Sequence, residues 1–404
     1  MRVAFIVNSF PEISEKFLLN SVVGLMDAGV DVTVFAAHRP TESMRHALFE
    51  ARNVASITRY AEIPRSIKSR FFRAPALFLR LLLRKPKAAI EALNVGKYRT
   101  VAKNAKLLYF GNVFLGERFD VAHCQFGVNG LIGAYLKDCG FAGRLVVTFH
   151  GSDINTYPKR HGLDVYAWMY RRADLITANT SFTKGKIAAN GCPESLIRVL
   201  PVGFVAAEYA GVDRSSVQPL SILTVGRLEE KKGHRYLIEA VSLLKKRLPG
   251  VKYLIAGGGS LSGELRDMAR DRGVDDACEF LGVCSSKEVM GLYGSAAVFC
   301  LPSVTASSGD MEGQGLVLQE AQACGVPVVS TLHNGIPDGV LDGISGFLVP
   351  EKDPVALAEK IYDILTDIEL RDRMGGAGRE FALKKYDIAV ITAELMGFYR
   401  EITA

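Results

Sequence analysis

Two carboxylates eight positions apart frame the segment Asp310-Met311-Glu312-Gly313-Gln314-Gly315-Leu316-Val317-Leu318-Gln319-Glu320. Glu312 falls before a glycine-flanked turn, and Glu320 falls about a turn inside the apolar, helix-like run that follows. The backbone N–H groups of Gly313, Gln314, Gly315, Leu316 and Val317 lie between them. Such groups, backed by the helix dipole, bind anions such as a diphosphate. Carboxylates on either side accept hydrogen bonds from the vicinal hydroxyls of a sugar and a ribose. The arrangement suits a nucleotide-sugar. Its plain alternative is a solvated helix start with two surface acids, and spacing alone leaves both readings open.

Cations stand elsewhere at a similar turn. Arg227 and the doublet Lys231-Lys232 follow a candidate strand over 221–225, between Gly226 and Gly233. Two of them could neutralise a departing diphosphate, Arg by forking onto two oxygens and Lys as a point charge. A basic surface loop is the alternative. His150 ends a candidate strand over 145–149, next to Gly151, where a ring can approach a bound sugar closely. Gly257, Gly258 and Gly259 end another strand, either as a simple turn or as a place where ligand and backbone meet. Asp-x-Asp, the usual metal-bridging motif for a diphosphate, occurs nowhere in the chain. The expectation is therefore chemistry without a metal and without a cofactor.

In order along the chain, several pieces together resemble the retaining family 4 glycosyltransferases, which have the GT-B fold. They are Phe149-His150-Gly151-Ser152-Asp153, Val225-Gly226-Arg227-Leu228 with Lys231-Lys232-Gly233, Leu281-Gly282, Pro302-Ser303, the Glu312 to Glu320 segment with Ala321, Gly325, Pro327 and Val328, Gly335-Ile336-Pro337-Asp338, and Gly346-Phe347-Leu348-Val349. The resemblance covers nearly the whole chain. Asn8-Ser9-Phe10-Pro11, Ser14-Glu15-Lys16-Phe17 and the insertion over 303–309 are similar to the exopolysaccharide branch, including colanic-acid-type transferases.

The resemblance implies roles. Arg227 and Lys232 would bind the donor diphosphate, the lysine directly before Gly233 fitting better than its neighbour. Glu312 would meet the sugar hydroxyls, Glu320 the ribose, and His150 the donor sugar. Leu281, Gly282 and Val283 would line the base through their backbone groups. Gln314 stands where many relatives carry an apolar residue. Asp153 would hold its loop or meet the acceptor. His123, with Phe126-Gly127, would line the acceptor side or be a core histidine. The turn over 8–12 lacks the double glycine of many relatives, so Ser14, Glu15 and Lys16 could touch donor or acceptor instead. The implied reaction is same-face transfer of a hexose from a UDP-glucose-like donor, with GDP-mannose as the alternative. The acceptor would be a glycan or a polyprenyl-diphosphate-linked unit. A non-catalytic nucleotide-sugar-binding protein and a UDP-sugar epimerase of similar fold are the rivals. A nicotinamide dehydrogenase is disfavoured, because no Gly-x-Gly-x-x-Gly follows the first strand.

These residues need elements to carry them. Short apolar runs alternate with helical patterns, which indicates parallel α/β architecture. The candidate strands are 3–7, 32–36, 121–125, 145–149, 175–178 and 198–200, then 221–225, 252–256, 279–281, 297–301, 327–330 and 346–349. Helical patterns between them include 15–28, 164–172, 234–247 and 261–272. Two such series predict two doubly wound Rossmann-like domains, an acceptor-binding domain over 1–205 and a donor-binding domain over 206–385. In GT-B proteins these face each other across a cleft, and the last helix, here 386–404, crosses back onto the first domain.

Composition adds the setting. Of the 404 residues 49% are apolar, ample for large cores. The 7 cysteines are scattered with no metal-like spacing, and the opening apolar run is too short for a signal peptide, which points to reduced, cytoplasmic thiols. Net charge is +6, yet residues 65–106 alone hold 12 basic residues against the single acid Glu91. Arginine, lysine, leucine and phenylalanine interleave there, as on an amphipathic surface resting on anionic lipid at the inner face of a membrane. A packed helical pair with a solvated basic face is the alternative. Nucleic acid fits less well, because no recognised motif accompanies the patch.

Overall fold

A computed structural model describes residues 1–12, 15–40 and 47–404. The chain divides into unit 1, Met1–Gly203 with Ile391–Ala404, and unit 2, Phe204–Val390. Each is built around one wholly parallel sheet.

In unit 1 the strands are β1 (Arg2–Ser9), β2 (Asp31–His38), β3 (Thr58–Tyr60), β4 (Phe119–Gln125), β5 (Ala142–Phe149), β6 (Leu175–Ala178) and β7 (Ile197–Val199), in the spatial order β3-β2-β1-β4-β5-β6-β7. The order reverses between β1 and β4, where Val3 pairs with Val121. In unit 2 the strands are β8 (Gln218–Val225), β9 (Lys252–Ala256), β10 (Cys278–Gly282), β11 (Ala296–Leu301), β12 (Val328–Thr331) and β13 (Gly346–Val349), ordered β10-β9-β8-β11-β12-β13. That sheet reverses between β8 and β11. Doubly wound sheets bind ligands outside the carboxyl ends of their strands at such a reversal.

Strand β1 shows why these apolar runs become strands. Val3, Phe5 and Val7 enter one core and Ala4 and Ile6 the other, on the period of two of a strand covered on both faces. The core holding Val3 also takes Ile391, Leu395 and Tyr399 from the last helix. That helix runs Ile388–Thr403, two residues later than the sequence pattern predicts, because Phe204 and Asp387 form a β-bridge that uses the backbone up to Ile388. The expected boundary at 205/206 falls at Gly203/Phe204 for the same reason.

Six helices matter below. They are α1 (Lys16–Asp27), α2 (Ile67–Arg84), α3 (Lys106–Val113), α4 (His234–Arg247), α5 (Leu316–Ala323) and α6 (Ile388–Thr403). The predicted 15–28 and 234–247 helices are α1 and α4. Every predicted strand has a counterpart, and β3 has no predicted one. Its three residues, Thr58, Arg59 and Tyr60, are too few to show an alternation.

Candidate functional site

In unit 2 three strand-to-helix loops are stitched into one surface. Gly226 N donates to Ala256 O at 2.9 Å, Leu228 N to Gly258 O at 2.9 Å and Gly257 N to Gly282 O at 2.7 Å. Glycine is required here. A Cβ on Gly257 would run into the Gly226 carbonyl, and one on Gly259 would lie 2.6 Å from Leu228 N. Gly233 takes φ +70° and presses against the Pro302 carbonyl, which sets Lys232 at the start of α4. His234, missed in the sequence, fixes this loop from beneath. Its ring reaches Tyr253 Oη at 3.1 Å and the Arg227 carbonyl at 3.2 Å, and burial pushes its pKa down to about 4.

Lys232 and Glu312 meet. Lys232 Nζ lies 2.5 Å from Glu312 Oε2, with the side chains only 12% and 14% exposed. Burial alone would raise the Glu312 carboxyl. The Lys232 ammonium, by charge and hydrogen bond, outweighs it with help from Lys231 and holds the group below the usual range. Lys231, the other half of the doublet, instead pairs with Asp310 at 3.0 Å, which resolves the ambiguity in favour of Lys232 as the inner cation. Arg227 pairs with Glu229 at 2.7 Å and is largely exposed.

The turn carrying Glu312 is held through its backbone. Glu312 N donates to His333 Nε2 at 3.2 Å, and Asn334 Nδ2 donates to Glu312 O at 3.1 Å. Since Nε2 accepts, the His333 proton sits on Nδ1, which lies 2.6 Å from Glu351 Oε1. Glu351 also accepts from Thr305 N at 2.9 Å. No spacing rule links Glu312, His333 and Glu351, so this support was invisible in the sequence. Gly315 follows at φ +71° and opens α5, whose first amides have no intrahelical partner. The Gln314 side chain turns inward, its amide 3.4 Å from Gln319 Oε1. Glu320 lies one turn into α5, where Tyr293 Oη stands 3.3 Å from Oε2 and Tyr209 also bonds it. Leu281 and Gly282 end β10, and Val283 stands 87% exposed beside Gly258.

In unit 1 the His150 ring lies between Phe17 and Phe126, at centroid distances of 5.0 and 4.6 Å. Burial pushes its pKa down to about 3, so the ring is neutral at any ordinary pH. Asp153 departs from the acceptor-side expectation. Its carboxylate is buried and accepts from Gly127 N at 2.8 Å, Gly151 N at 2.9 Å and His150 N at 3.1 Å. It holds the loop, the first of the two roles expected of it. Burial raises its pKa to about 6 against these amides.

His123 is likewise corrected. It is 2% exposed, with Nδ1 2.6 Å from Tyr399 Oη and Nε2 2.7 Å from Thr148 Oγ1. It is a core histidine, yet it is connected. Gln125 Nε2 lies 3.2 Å from His123 Nε2, and Gln125 Oε1 lies 2.8 Å from His150 Nε2. With the glutamine amide so placed, His150 carries its proton on Nε2 and presents Nδ1 as an acceptor. Tyr399 on α6, His123, Gln125 and His150 thus form one buried polar chain. Glu15 precedes α1, and burial, then Glu12, raises its pKa to about 7. Lys16 is the first residue of α1, and Ser14 lies outside the described residues.

Residues 14–207 match the model for Glycosyltransferase Family 4, and residues 211–381 match that for Glycosyl transferases group 1. AmsK of Erwinia amylovora, an amylovoran biosynthesis glycosyltransferase, is 33% identical over 371 residues, 89% of this chain and 89% of AmsK. The chain is a family 4 glycosyltransferase. WcaL of Escherichia coli, assigned to colanic acid biosynthesis, is 35% identical over 366 residues, 89% of this chain and 90% of WcaL. These relatives place this glycosyltransferase in the exopolysaccharide branch. Its fold is that of HepE from Anabaena in complex with UDP and glucose, at TM-score 0.73 and 18% identity over 99% of this chain and 100% of HepE. Among the described residues no three His, Cys, Asp or Glu side chains group to hold a metal ion.

Proposed function

We propose that this glycosyltransferase is a retaining hexosyltransferase, metal-independent, that uses a UDP-glucose-like donor. The observation that carries the reading is the Lys232–Glu312 pair, held between the glycine loops and the start of α5. A diphosphate on the α5 amides would draw the Lys232 ammonium onto its oxygens, joined by Arg227. Glu312, released from part of its pairing, would accept from sugar hydroxyls. The bond from the anomeric carbon to the phosphate oxygen breaks, and its electron pair goes to that oxygen. The acceptor hydroxyl bonds the same face of the sugar and gives its proton to the leaving diphosphate. Lys232, Arg227 and the helix start stabilise the charge that develops there. His150 bonds the donor sugar through Nδ1. HepE, crystallised with UDP and glucose, supports the donor choice through shared fold alone. A thermal-shift panel of nucleotide-sugars tests the reading. A binder at 100 times its Kd adds about 2.7 kcal/mol. A larger shift with GDP-mannose than with UDP-glucose would replace the donor, and no shift with any member would end the proposal.

The acceptor we infer is lipid-linked, and the enzyme works on the cytoplasmic face of a membrane. Helix α2 buries Leu81 and packs Ala74, Leu77 and Phe78 on unit 1, while Phe72 and Leu83 stand 88% and 76% exposed beside Arg73, Arg80 and Arg84. Bulky apolar side chains turned outward on a basic helix match an anionic lipid surface better than plain water. Among the described residues no helix is long and apolar enough to cross a membrane.

A further inference from the structure

We propose that a basic cavity at the edge of the unit 1 sheet binds the diphosphate of the acceptor, an amphiphile whose apolar tail follows α2. The inference deepens the lipid-linked reading above and rests on it.

The cavity, about 310 Å³, opens where β2 ends at His38 and the chain leaves β3. Arg39, Arg65 and Arg73 line it against one acid, Glu62. Glu62 is already paired with Arg39 at 2.8 Å, and the Arg39 guanidinium also stacks on the Tyr60 ring. Arg65 and Arg73 have no carboxylate partner among the described residues. Arg70 pins the loop to α2, donating to Pro64 O at 2.6 Å and to Arg65 O at 3.2 Å. Tyr109 Oη donates to Arg70 O at 3.1 Å, and one turn before Tyr109 stands Lys106, half-buried and without an acidic partner among the described residues.

The electrostatics agree with the geometry. Burial and then Arg70 hold the Lys106 ammonium below its usual pKa. Burial, then Lys106, with Arg70 and Arg65 beyond, does the same to His38, against one hydrogen bond to the Ile63 backbone. Such a concentration of positive charge is relieved by a multivalent anion. Arginine forks suit phosphate oxygens, and a second phosphate would satisfy the second arginine, with Lys106 adding positive charge from behind His38. The apolar half of the ligand is indicated by position, since Phe71 and Phe72 directly precede Arg73 and are exposed. A free phosphate would use the cations and leave those rings in water.

Farnesyl diphosphate is the probe. It is titrated calorimetrically into full-length Lys232→Ala, whose donor half is disabled, and into the same chain carrying Arg73→Gln and Lys106→Gln. The expected result is binding to the first and a loss of at least about tenfold in the second, as for charge-assisted bonds removed. Inorganic diphosphate should bind the Lys232→Ala chain more weakly than the farnesyl ester. Equal binding of farnesyl diphosphate to both chains, or none to either, overturns the proposal. Vesicles with anionic phospholipid and no diphosphate form the second arm. If the cavity variants lose vesicle binding as strongly as they lose the probe, the cavity serves headgroups and the acceptor assignment fails. Arg65→Gln, at an exposed position, provides a variant that keeps the fold. Nucleotide-sugar shifts on the wild-type chain report separately on the donor reading.

Discussion

Lys232 and Glu312 form a partly enclosed ion pair, and each is the other's main counter-charge. Removing one partner leaves the other uncompensated, which costs more than an exposed pair. Lys232→Ala is expected to lower kcat by about 10²–10³, the usual cost of one charge-stabilising donor. In the same variant the Glu312 carboxyl loses what holds it low, so burial raises it. The sign follows. In the wild type the depressed carboxyl contributes stability above its unfolded pKa and loses it as pH falls through the folded one, and Lys232→Ala should flatten that acid limb in urea midpoints. Glu312→Ala should abolish transfer while far-UV circular dichroism stays unchanged, and wild-type turnover in either variant would end the assignment. Glu15 has the opposite sign. Its carboxyl, raised to about 7, holds its proton more tightly in the folded state, so stability falls as pH rises from the unfolded value, 4.5, to about 7. Glu15→Gln should be the more stable protein at pH 8, by on the order of 1 kcal/mol, and equal to wild type at pH 4.

Among the elements, α6 reaches furthest from its place in the chain. Tyr399 bonds His123 across 276 positions, and through Gln125 that bond sets which nitrogen of His150 carries the proton. Tyr399→Phe should lower kcat severalfold with little change in donor KM, and the His150 ring ¹⁵N shifts should report a mixture of tautomers. Unchanged shifts would cut the chain of bonds from function. Helix α2 carries a different expectation. Neutralising Arg80, Arg84, Lys85 and Lys87 should weaken binding to anionic vesicles, each basic residue contributing about 1 kcal/mol. Cosedimentation measures it, and unchanged binding would leave α2 as a solvated face.

For the molecule as a whole, the residues most legible in the sequence were those where backbone geometry admits one residue type. Gly233, Gly257 and Gly315 could be placed because a side chain there collides or strains. Strands buried on both faces announce themselves as continuous apolar runs, so the parallel sheets were readable. Burial of single polar groups was not. His123 and Asp153 have the types of ligand-binding residues, and only the packed core shows that one is enclosed and the other spent on three amides. Partners such as His333 with Glu351, or Tyr209 with Glu320, are brought together by folding and carry no local spacing. The division into units has its own consequence. Ile391, Leu395 and Tyr399 complete the unit 1 core from the far end of the chain. Truncation after Val390 should destabilise unit 1 by several kcal/mol, about 2–5 for each large apolar side chain lost, and leave unit 2 intact. Protease protection mapped by mass spectrometry would show the difference, and equal protection of both units would refute it.

The Lys232–Glu312 pair also bears on how the cycle closes. A site built from bare cations would cling to its spent nucleotide, and exit would set the pace. Here a carboxylate lies 2.5 Å from the ammonium and, on the proposed function, would reclaim it as the product departs. On the proposed function, the site would thus carry an internal competitor for its own by-product.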